Sequence, residues 1–305
     1  MTTITALSAA PGHGLRKVKN NVATVLVTLA FGVALVPLVW LLWTVISKGY
    51  HALTRNGWFT EDVGTRTFRN PGGGALHAII GTLEQVALCS VISVPIALMV
   101  GIYLVEYGRG PLAKATTFMV DILSGVPSIV AALFIYAVFI TTFHGQRSGW
   151  LVSLALVLLM IPVIVRTTEE MLKLVPNELR EASYALGVPK WKTIARIVVP
   201  TALTGIITGI VLGIARVAGE TAPLLILVGY TDNTNGNLFS NGFQGSLPGM
   251  INAQVSNIGN TRSFTGQPIH NYAIDRMWGA ALTLIIIVMG LNLIARFLGR
   301  FSKVS

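Results

Sequence analysis

Charged residues are scarce in this sequence. Asp, Glu, Lys and Arg make up 11% of the 305 residues and hydrophobic residues make up 53%, whereas about 25% of a soluble domain is charged. Several apolar runs are longer than the roughly 20 residues that a helix needs to cross a bilayer core. The composition therefore excludes an ordinary soluble domain and predicts an integral membrane protein.

The groups that would indicate catalysis or a bound cofactor are also missing. Cys89 is the single cysteine and cannot form an intrachain disulfide. No nucleotide-binding loop of the form G-x4-G-K-[S/T] occurs, and the five histidines are scattered. We therefore expect no catalytic residue, no metal site and no cofactor on this chain.

The apolar runs predict six membrane-spanning helices, at residues 22–46, 75–105, 117–143, 150–172, 201–229 and 277–298. With the N-terminus inside, 14 of the 22 Lys and Arg residues would lie in cytoplasmic segments or in the cytoplasmic halves of spans. The positive-inside rule therefore places both termini in the cytoplasm. It also explains the net charge of +10 without a nucleic-acid partner.

The polar segment between the fourth and fifth spans carries the most informative motif, E-A-S-x3-G-x9-I-V-V-P. It resembles the EAA loop of ABC importer permeases, E-A-A-x3-G-x9-I-x-L-P. The matching positions are Glu181, Ala182, Gly187, Ile197 and Pro200, with mild departures at Ser183 and Val199. The resemblance implies two short cytoplasmic helices joined by a tight turn at Gly187, which a separate ATPase subunit grips. We call residues 177–200 the EAA-like loop.

The fifth span combines glycines with two charges. On a continuous helix, its three glycines and two charged residues share a face about 80° wide; they are Gly205, Gly209, Gly213, Arg216 and Glu220. Small residues every four positions allow two helices to approach closely. We therefore expect the charged pair to point into a helix interface or a cavity and not toward lipid.

Arg216 lies about midway along this predicted span, where a charge is a functional hypothesis by default. A closed pair with Glu220 would be structural, whereas a pair that opens would offer a fixed guanidinium to an oxyanion. The residues alone leave both possibilities open. Arg166 in the fourth span is either a second cation on the same path or an anchor at the membrane surface.

Other polar residues in the spans have more modest predicted roles. Asp121 is expected to act as a cap or an interface residue, and Glu84 to hydrogen-bond to a neighbouring helix. The run Leu123-Ser-Gly-Val-Pro-Ser-Ile129 predicts an irregular helix because it contains Gly125 and Pro127.

Together with the EAA-like loop, three runs resemble the PstA-type permease subunits of phosphate ABC importers. They are Leu123–Ile129, Arg166-Thr-Thr-Glu-Glu170 and Arg216-Val-Ala-Gly-Glu-Thr-Ala-Pro223. The resemblance covers residues 76–300 and implies an all-α, MetI-like type I importer permease in the plasma membrane of a prokaryote. It implies a PstC-type permease partner, two PstB-type ATPases that bind ATP and Mg²⁺, and a PstS-type phosphate-binding protein. It also implies that Arg216, Glu220 and, less directly, Arg166 line the phosphate path.

The chain is accordingly predicted to have three parts. Residues 1–74 form a cytoplasmic tail, the first span and an external loop; residues 75–300 form a five-helix permease core; and residues 301–305 form a C-terminal tail. Two other functions remain open: a permease for another oxyanion such as sulfate or molybdate, and an ATP-independent channel or secondary carrier.

Overall fold

The computed structural model describes residues 13–240, 242–259 and 270–301, and this part of the chain is helical. Its only bridge between extended segments pairs Gly229 with Phe243. The helices are α1 (His13–Leu53), α2 (Leu76–Ile102), α3 (Pro111–Gly125), α4 (Ser128–Ile135), α5 (Gly149–Lys173), α6 (Asn177–Ala185), α7 (Lys190–Thr193), α8 (Val199–Ala218), α9 (Ala222–Leu227), α10 (Leu247–Ser256) and α11 (Tyr272–Phe301). Three short π-helical segments extend this set, at Tyr103–Tyr107, Tyr136–Thr142 and Ile194–Val198.

Within the described residues, five helical segments are long and apolar enough to cross a membrane, and a bent pair of helices makes a sixth. The chain is therefore a multi-pass membrane protein. It divides into two compact units, residues 1–48 and 49–305. The described part of the first unit belongs to α1, and most of its large apolar side chains are exposed.

The predicted third span is a bent pair. It consists of Pro111–Gly125 and Ser128–Thr142, which meet at 108°. Val126 is extended, as expected before a proline, and Pro127 cannot donate a backbone hydrogen bond. The irregular segment expected around Gly125 and Pro127 is therefore present, and it redirects the chain.

The predicted fifth span differs from a single helix over residues 201–229. The helix α8 ends at Ala218, and α9 begins at Ala222 after three non-helical residues. Glu220 therefore lies in a break and not on the helix face assigned to it from the sequence. Apolar residues lie on both sides of the break, and the sequence pattern therefore predicted one span across it.

The helix α5 lies at the centre of the second unit, where it packs against α2 and α8. Its side chains at Leu151, Val152, Met160, Ile164 and Val165 are almost fully buried. Close packing continues onto α2, because a Cβ on Gly101 would lie only 2.8 Å from Cγ2 of Thr168. Close contacts of this kind hold α2 and α8 against α5.

Trp58 anchors the segment that joins α1 to α2 within the second unit. The indole is almost fully buried beside Ala280, and its Nε1 donates a hydrogen bond to Oγ1 of Thr283 at 3.0 Å. A buried tryptophan normally needs such a partner for its N–H group. This bond fixes the segment against α11.

Candidate functional site

The turn of the EAA-like loop is a glycine-terminated helix end. Gly187 has φ +75°, a backbone conformation that only glycine adopts without cost. Its N–H donates to the carbonyl of Tyr184 at 2.9 Å, and the N–H of Val188 donates to the carbonyl of Ser183 at 3.2 Å. These two bonds are the Schellman pattern that ends a helix. They end α6 and redirect the chain toward α7.

A buried hydroxyl pair holds the two short helices of the loop together. Oγ of Ser183 and Oγ1 of Thr193 are 2.8 Å apart, and both residues are buried. The departure of Ser183 from the alanine of the motif is therefore matched by a hydroxyl partner on α7. Glu181 and Ala182 are exposed, whereas Ile197 and Pro200 are half-buried where the chain enters α8.

The EAA-like loop carries an exposed apolar surface that its motif did not predict. The exposed side chains are Leu179, Tyr184, Leu186 and Trp191, and Leu186 is 83% exposed. We call these four residues the loop surface. Several large apolar side chains exposed on one polar loop favour a protein–protein contact there. The sequence did contain a signal for this surface, because large apolar residues stand beside charged ones in the loop.

A buried ion pair joins the EAA-like loop to the end of the second span. Nη2 of Arg180 lies 2.8 Å from Oε1 of Glu106, and the two side chains are 13% and 5% exposed. The same guanidinium donates to the carbonyls of Leu172 and Val175 at 3.0 and 2.7 Å. Sequence reasoning missed this pair, because 74 residues separate its partners.

The glycines of α8 lie against α5. A Cβ on Gly205 would be 2.6 Å from Cγ of Met171, and one on Gly209 would be 2.6 Å from Cβ of Thr167. Gly213 has more room, with Met160 and Ile164 at 3.4 Å from its added Cβ. The glycine face therefore permits a close antiparallel crossing of the two helices, and the crossing is tightest at Gly205 and Gly209.

Arg216 lies in the last turn of α8, beside the break. Its Nε is 3.9 Å from Oε1 of Glu220, and the side chains are 49% and 18% exposed. This separation is longer than a hydrogen bond. The sequence placed Arg216 and Gly213 on one helix face, but their surroundings differ. The guanidinium is half-exposed, whereas the glycine is buried against α5.

The depth of the break follows from its neighbours on α5. Gly213 lies beside Met160 and Ile164, near the middle of α5. Nine residues after Ala218, the carbonyl of Leu227 accepts from the backbone N–H of Ser148, which directly precedes α5. The break and Arg216 therefore lie between the middle of the bundle and the end that holds Ser148. A broken helix at this depth is a common ligand site in transporters.

Arg166 is held in a network of opposite charges. It pairs with Asp121 of α3 and, at 2.7 Å, with Glu169; Lys173 lies 2.6 Å from the other oxygen of Glu169. Two cations and two carboxylates balance in this network. The structure thus gives Asp121 the interface role expected of it, between α3 and α5, and it does not bring Arg166 into contact with Arg216.

Polar contacts tie the segments at the opposite end of the bundle from the EAA-like loop. The Asp62 carboxylate accepts from the Thr234 hydroxyl and N–H, both at 2.7 Å, and from the His77 N–H at 3.0 Å. Burial raises the pKa of Asp62, but the Thr234 bonds and the nearby His77 outweigh it and hold that pKa below its ordinary value. Glu84 accepts from Nε2 of Gln244 at 2.7 Å. The sequence had suggested a partner on a neighbouring helix, but the partner of Glu84 lies in the loop before α10.

Comparisons with known proteins agree with this architecture. Residues 93–303 match the family model "Binding-protein-dependent transport system inner membrane component". The chain is 54% identical over 280 residues to "Phosphate transport system permease protein PstA 1" of Mycobacterium tuberculosis (strain CDC 1551 / Oshkosh), covering 92% of this chain and 88% of that protein.

Solved structures with a similar fold are permeases of ABC importers. The inward-facing MetNI methionine ABC transporter superposes with a TM-score of 0.57 at 19% identity, covering 75% of this chain and 97% of that one. The bacterial alginate ABC transporter, in complex with its alginate-bound periplasmic protein, gives 0.62 at 13% identity over 97% and 100%. The chain therefore belongs to the binding-protein-dependent transport inner-membrane components and, within them, to the PstA phosphate transport permeases.

Proposed function

We propose that this chain is the permease subunit of an ATP-driven importer that moves inorganic phosphate into the cell. The observation that carries the proposal is Arg216, whose half-exposed guanidinium lies at the break between α8 and α9 and is only loosely paired with Glu220. The 54% identical relative is a phosphate transport permease by name, which supports phosphate as the substrate. The transport subunit itself makes and breaks no covalent bond.

The chemistry of Arg216 suits a transient oxyanion site. Phosphate must lose water to enter a low-dielectric path, which is costly unless charge-assisted hydrogen bonds replace the water. A planar guanidinium supplies two parallel donors to two phosphate oxygens. Glu220 would balance the charge of Arg216 when the path is empty and repel phosphate enough to keep binding weak. Weak binding favours release to the next position on the path.

The EAA-like loop supports a partnership with ATPases. We propose that the complex contains two PstB-type ATPases, that one of them contacts the loop surface, and that the ATPases alone bind ATP and Mg²⁺. A PstC-type permease would complete the path, and a PstS-type binding protein would deliver phosphate from outside. This arrangement requires the plasma membrane of a prokaryote, with both termini and the EAA-like loop in the cytoplasm. Whether Arg166 lines the path as well stays a prediction.

The decisive experiment measures labelled-phosphate uptake by the reconstituted complex, together with a pull-down of the ATPase. We expect Arg216→Gln to assemble normally and to lose phosphate uptake, because the charge that lowers the barrier is gone. Arg216→Lys should keep part of the uptake, because it retains the charge without the planar fork. Arg69→Gln, which removes an exposed arginine on the segment before α2, is the matched control and should transport normally.

Each alternative function has its own result in this experiment. Uptake blocked by sulfate or molybdate as strongly as by unlabelled phosphate would assign the path to another oxyanion. Uptake that continues without ATP or the ATPase would indicate a channel or secondary carrier. A well-assembled Arg216→Gln complex with normal uptake would remove Arg216 from the path.

A further inference from the structure

A compact joint connects both short helices of the EAA-like loop to the end of the second span. From α6, Arg180 donates to Oε1 of Glu106 through Nε at 3.1 Å and through Nη2 at 2.8 Å. From α7, Lys190 donates to the backbone carbonyl of Glu106, and its Nζ lies 4.6 Å from the centre of the Tyr107 ring. Both helices of the loop therefore hold Glu106, and α7 contacts Tyr107 as well.

The ion pair of Glu106 and Arg180 at the centre of the joint is buried and highly connected, whereas Lys190 and Tyr107 are exposed. Glu106 is 5% exposed, so its carboxylate depends on Arg180 for compensation. Arg180 also donates to Oδ1 of Asn177 at 3.2 Å, in addition to the carbonyls of Leu172 and Val175. A guanidinium held by this many acceptors has little freedom to move independently of its surroundings. The joint is therefore suited to transmitting movement of the EAA-like loop to the end of α2, in addition to neutralising the charge of Glu106.

Beyond the joint, α2 reaches the opposite end of the bundle. The π-helical segment Tyr103–Tyr107 continues directly from α2, and such segments occur frequently at functional sites. Near the other end of α2, Oγ1 of Thr82 accepts from the N–H of Leu247 at 2.8 Å, and Glu84 accepts from Gln244. One helix thus contacts the EAA-like loop at one end and the segment that follows α9 at the other.

We infer that Glu106 and Arg180 are positioning residues that pass displacement of the EAA-like loop to α2, and through α2 to the segment around Gln244 and Leu247. The inference rests on the proposed ATP-driven function. It adds a second connection from the ATPase side to the far end of the bundle, beside the direct continuation of the loop into α8. Glu106 and Arg180 do not contact phosphate. Their loss should therefore reduce the phosphate carried per ATP hydrolysed without changing the KM for phosphate.

The first test compares three variants in the reconstituted complex, Glu106→Gln, Arg180→Lys and Arg109→Gln. Arg109→Gln is the matched control, because Arg109 is exposed three residues after Glu106. We expect Glu106→Gln to keep ATPase assembly and ATP hydrolysis while phosphate uptake per ATP falls about tenfold. Arg180→Lys should retain an intermediate ratio, because it keeps the charge and loses the fork.

The second test restores the joint by a reversible covalent link. Cys89, the buried free cysteine, is replaced by alanine, and Glu106→Cys and Arg180→Cys are introduced together. We expect this variant to hydrolyse ATP without uptake, a bifunctional methanethiosulfonate to restore uptake by linking the two positions, and a reductant to abolish it again. A joint needed only for charge would not be rescued by an uncharged link.

Three outcomes would overturn the inference while the wild-type complex still imports phosphate with ATP. One is normal uptake per ATP in Glu106→Gln, and another is a linked variant that stays inactive. The third is failure of every joint variant to assemble, which would assign the joint to folding. A wild-type complex without ATP-dependent phosphate uptake would instead refute the proposed function itself.

Discussion

Gly209 of α8 lies against Thr167 of α5 so closely that a Cβ on the glycine would come within 2.6 Å of Cβ of the threonine. Real side chains do not approach one another at that distance, so one of the two helices would have to move. At Gly213, one helical turn further along, an added Cβ would make ordinary contact at 3.4 Å with Met160 and Ile164. Gly209 and Gly213, on the same face of α8, therefore differ in how well they would tolerate an added methyl group.

Gly209→Ala should destabilise the purified chain by about 1–3 kcal/mol, because overpacking a helix crossing displaces its backbones. Gly213→Ala is the matched control and should leave stability nearly unchanged. The measurement is thermal unfolding in detergent, with the yield of assembled complex as a second readout. Equal unfolding temperatures for the two variants would contradict the close crossing at Gly209.

Gly187 offers a separate test of the EAA-like loop. Its φ is +75°, and nothing lies within 4 Å of an added Cβ, so a substitution there meets backbone strain alone. Gly187→Ala should cost about 1–2 kcal/mol in the turn and weaken ATPase binding up to roughly tenfold. Gly187→Asn should cost less, because asparagine tolerates this conformation better. Titration of purified ATPase against the reconstituted chain gives both affinities; identical values for alanine and asparagine would contradict the strained turn.

The charge network seen around Arg166 can be tested against the predicted place of this residue on the phosphate path. If the network with Asp121 and Glu169 is its main role, Arg166→Gln should lower stability by about 1 kcal/mol, since Asp121 is largely exposed and such pairs are weak. Adding Asp121→Asn should then recover stability, because the network again balances in charge, and phosphate uptake should be retained. Uptake assays and thermal unfolding of the single and double variants decide the question. A stable double variant without uptake would place Arg166 on the phosphate path instead.

The contact between Asp62 and Thr234 should make the stability of the segments opposite the EAA-like loop depend on pH in the acid range. A carboxylate with a lowered pKa adds stability above its ordinary value of 3.8, and that stability is lost as the pH falls through its lower, folded-state pKa. We therefore expect the amide of Thr234 to lose hydrogen-exchange protection only below about pH 4.

Thr234→Val removes the hydroxyl that donates to Asp62 and should move this acid transition to higher pH. Thr65→Val, at an exposed threonine of the segment that precedes α2, is the control and should leave the transition where it is. The comparison would refute the Asp62 contact if both variants behaved like the wild type.

Features set by local sequence were predictable from the residues. Apolar runs of sufficient length indicated the spans, and Gly125 and Pro127 indicated an irregular helix where the structure has the bend between α3 and α4, because each acts within a few residues. Gly187 was identifiable as a turn for the same reason. The glycine spacing of α8 indicated a close helix contact, although it could not show that α5 is the partner or that Gly213 has more room.

Features that depend on distant residues were not predictable. Glu106 and Arg180 are 74 positions apart, and no periodicity links them. The break after Ala218 lies within a predicted span with apolar residues on both sides, so Glu220 was assigned to a helix face that ends before it. Arg166 was interpreted without its partner Asp121, which is 45 positions earlier. In each case the missing information was which helices are neighbours, which local patterns do not contain.

The bond between Trp58 and Thr283 joins positions 225 residues apart, and this separation sets an order on how the chain can mature. Trp58 is synthesised long before α11, yet its indole is buried only once α11 is in place. During membrane insertion, the indole of Trp58 is therefore incompletely buried until α11 has been inserted. The last helix therefore completes the burial of the first loop. In a chain truncated before α11, Trp58 would stay exposed and accessible to chaperones and proteases.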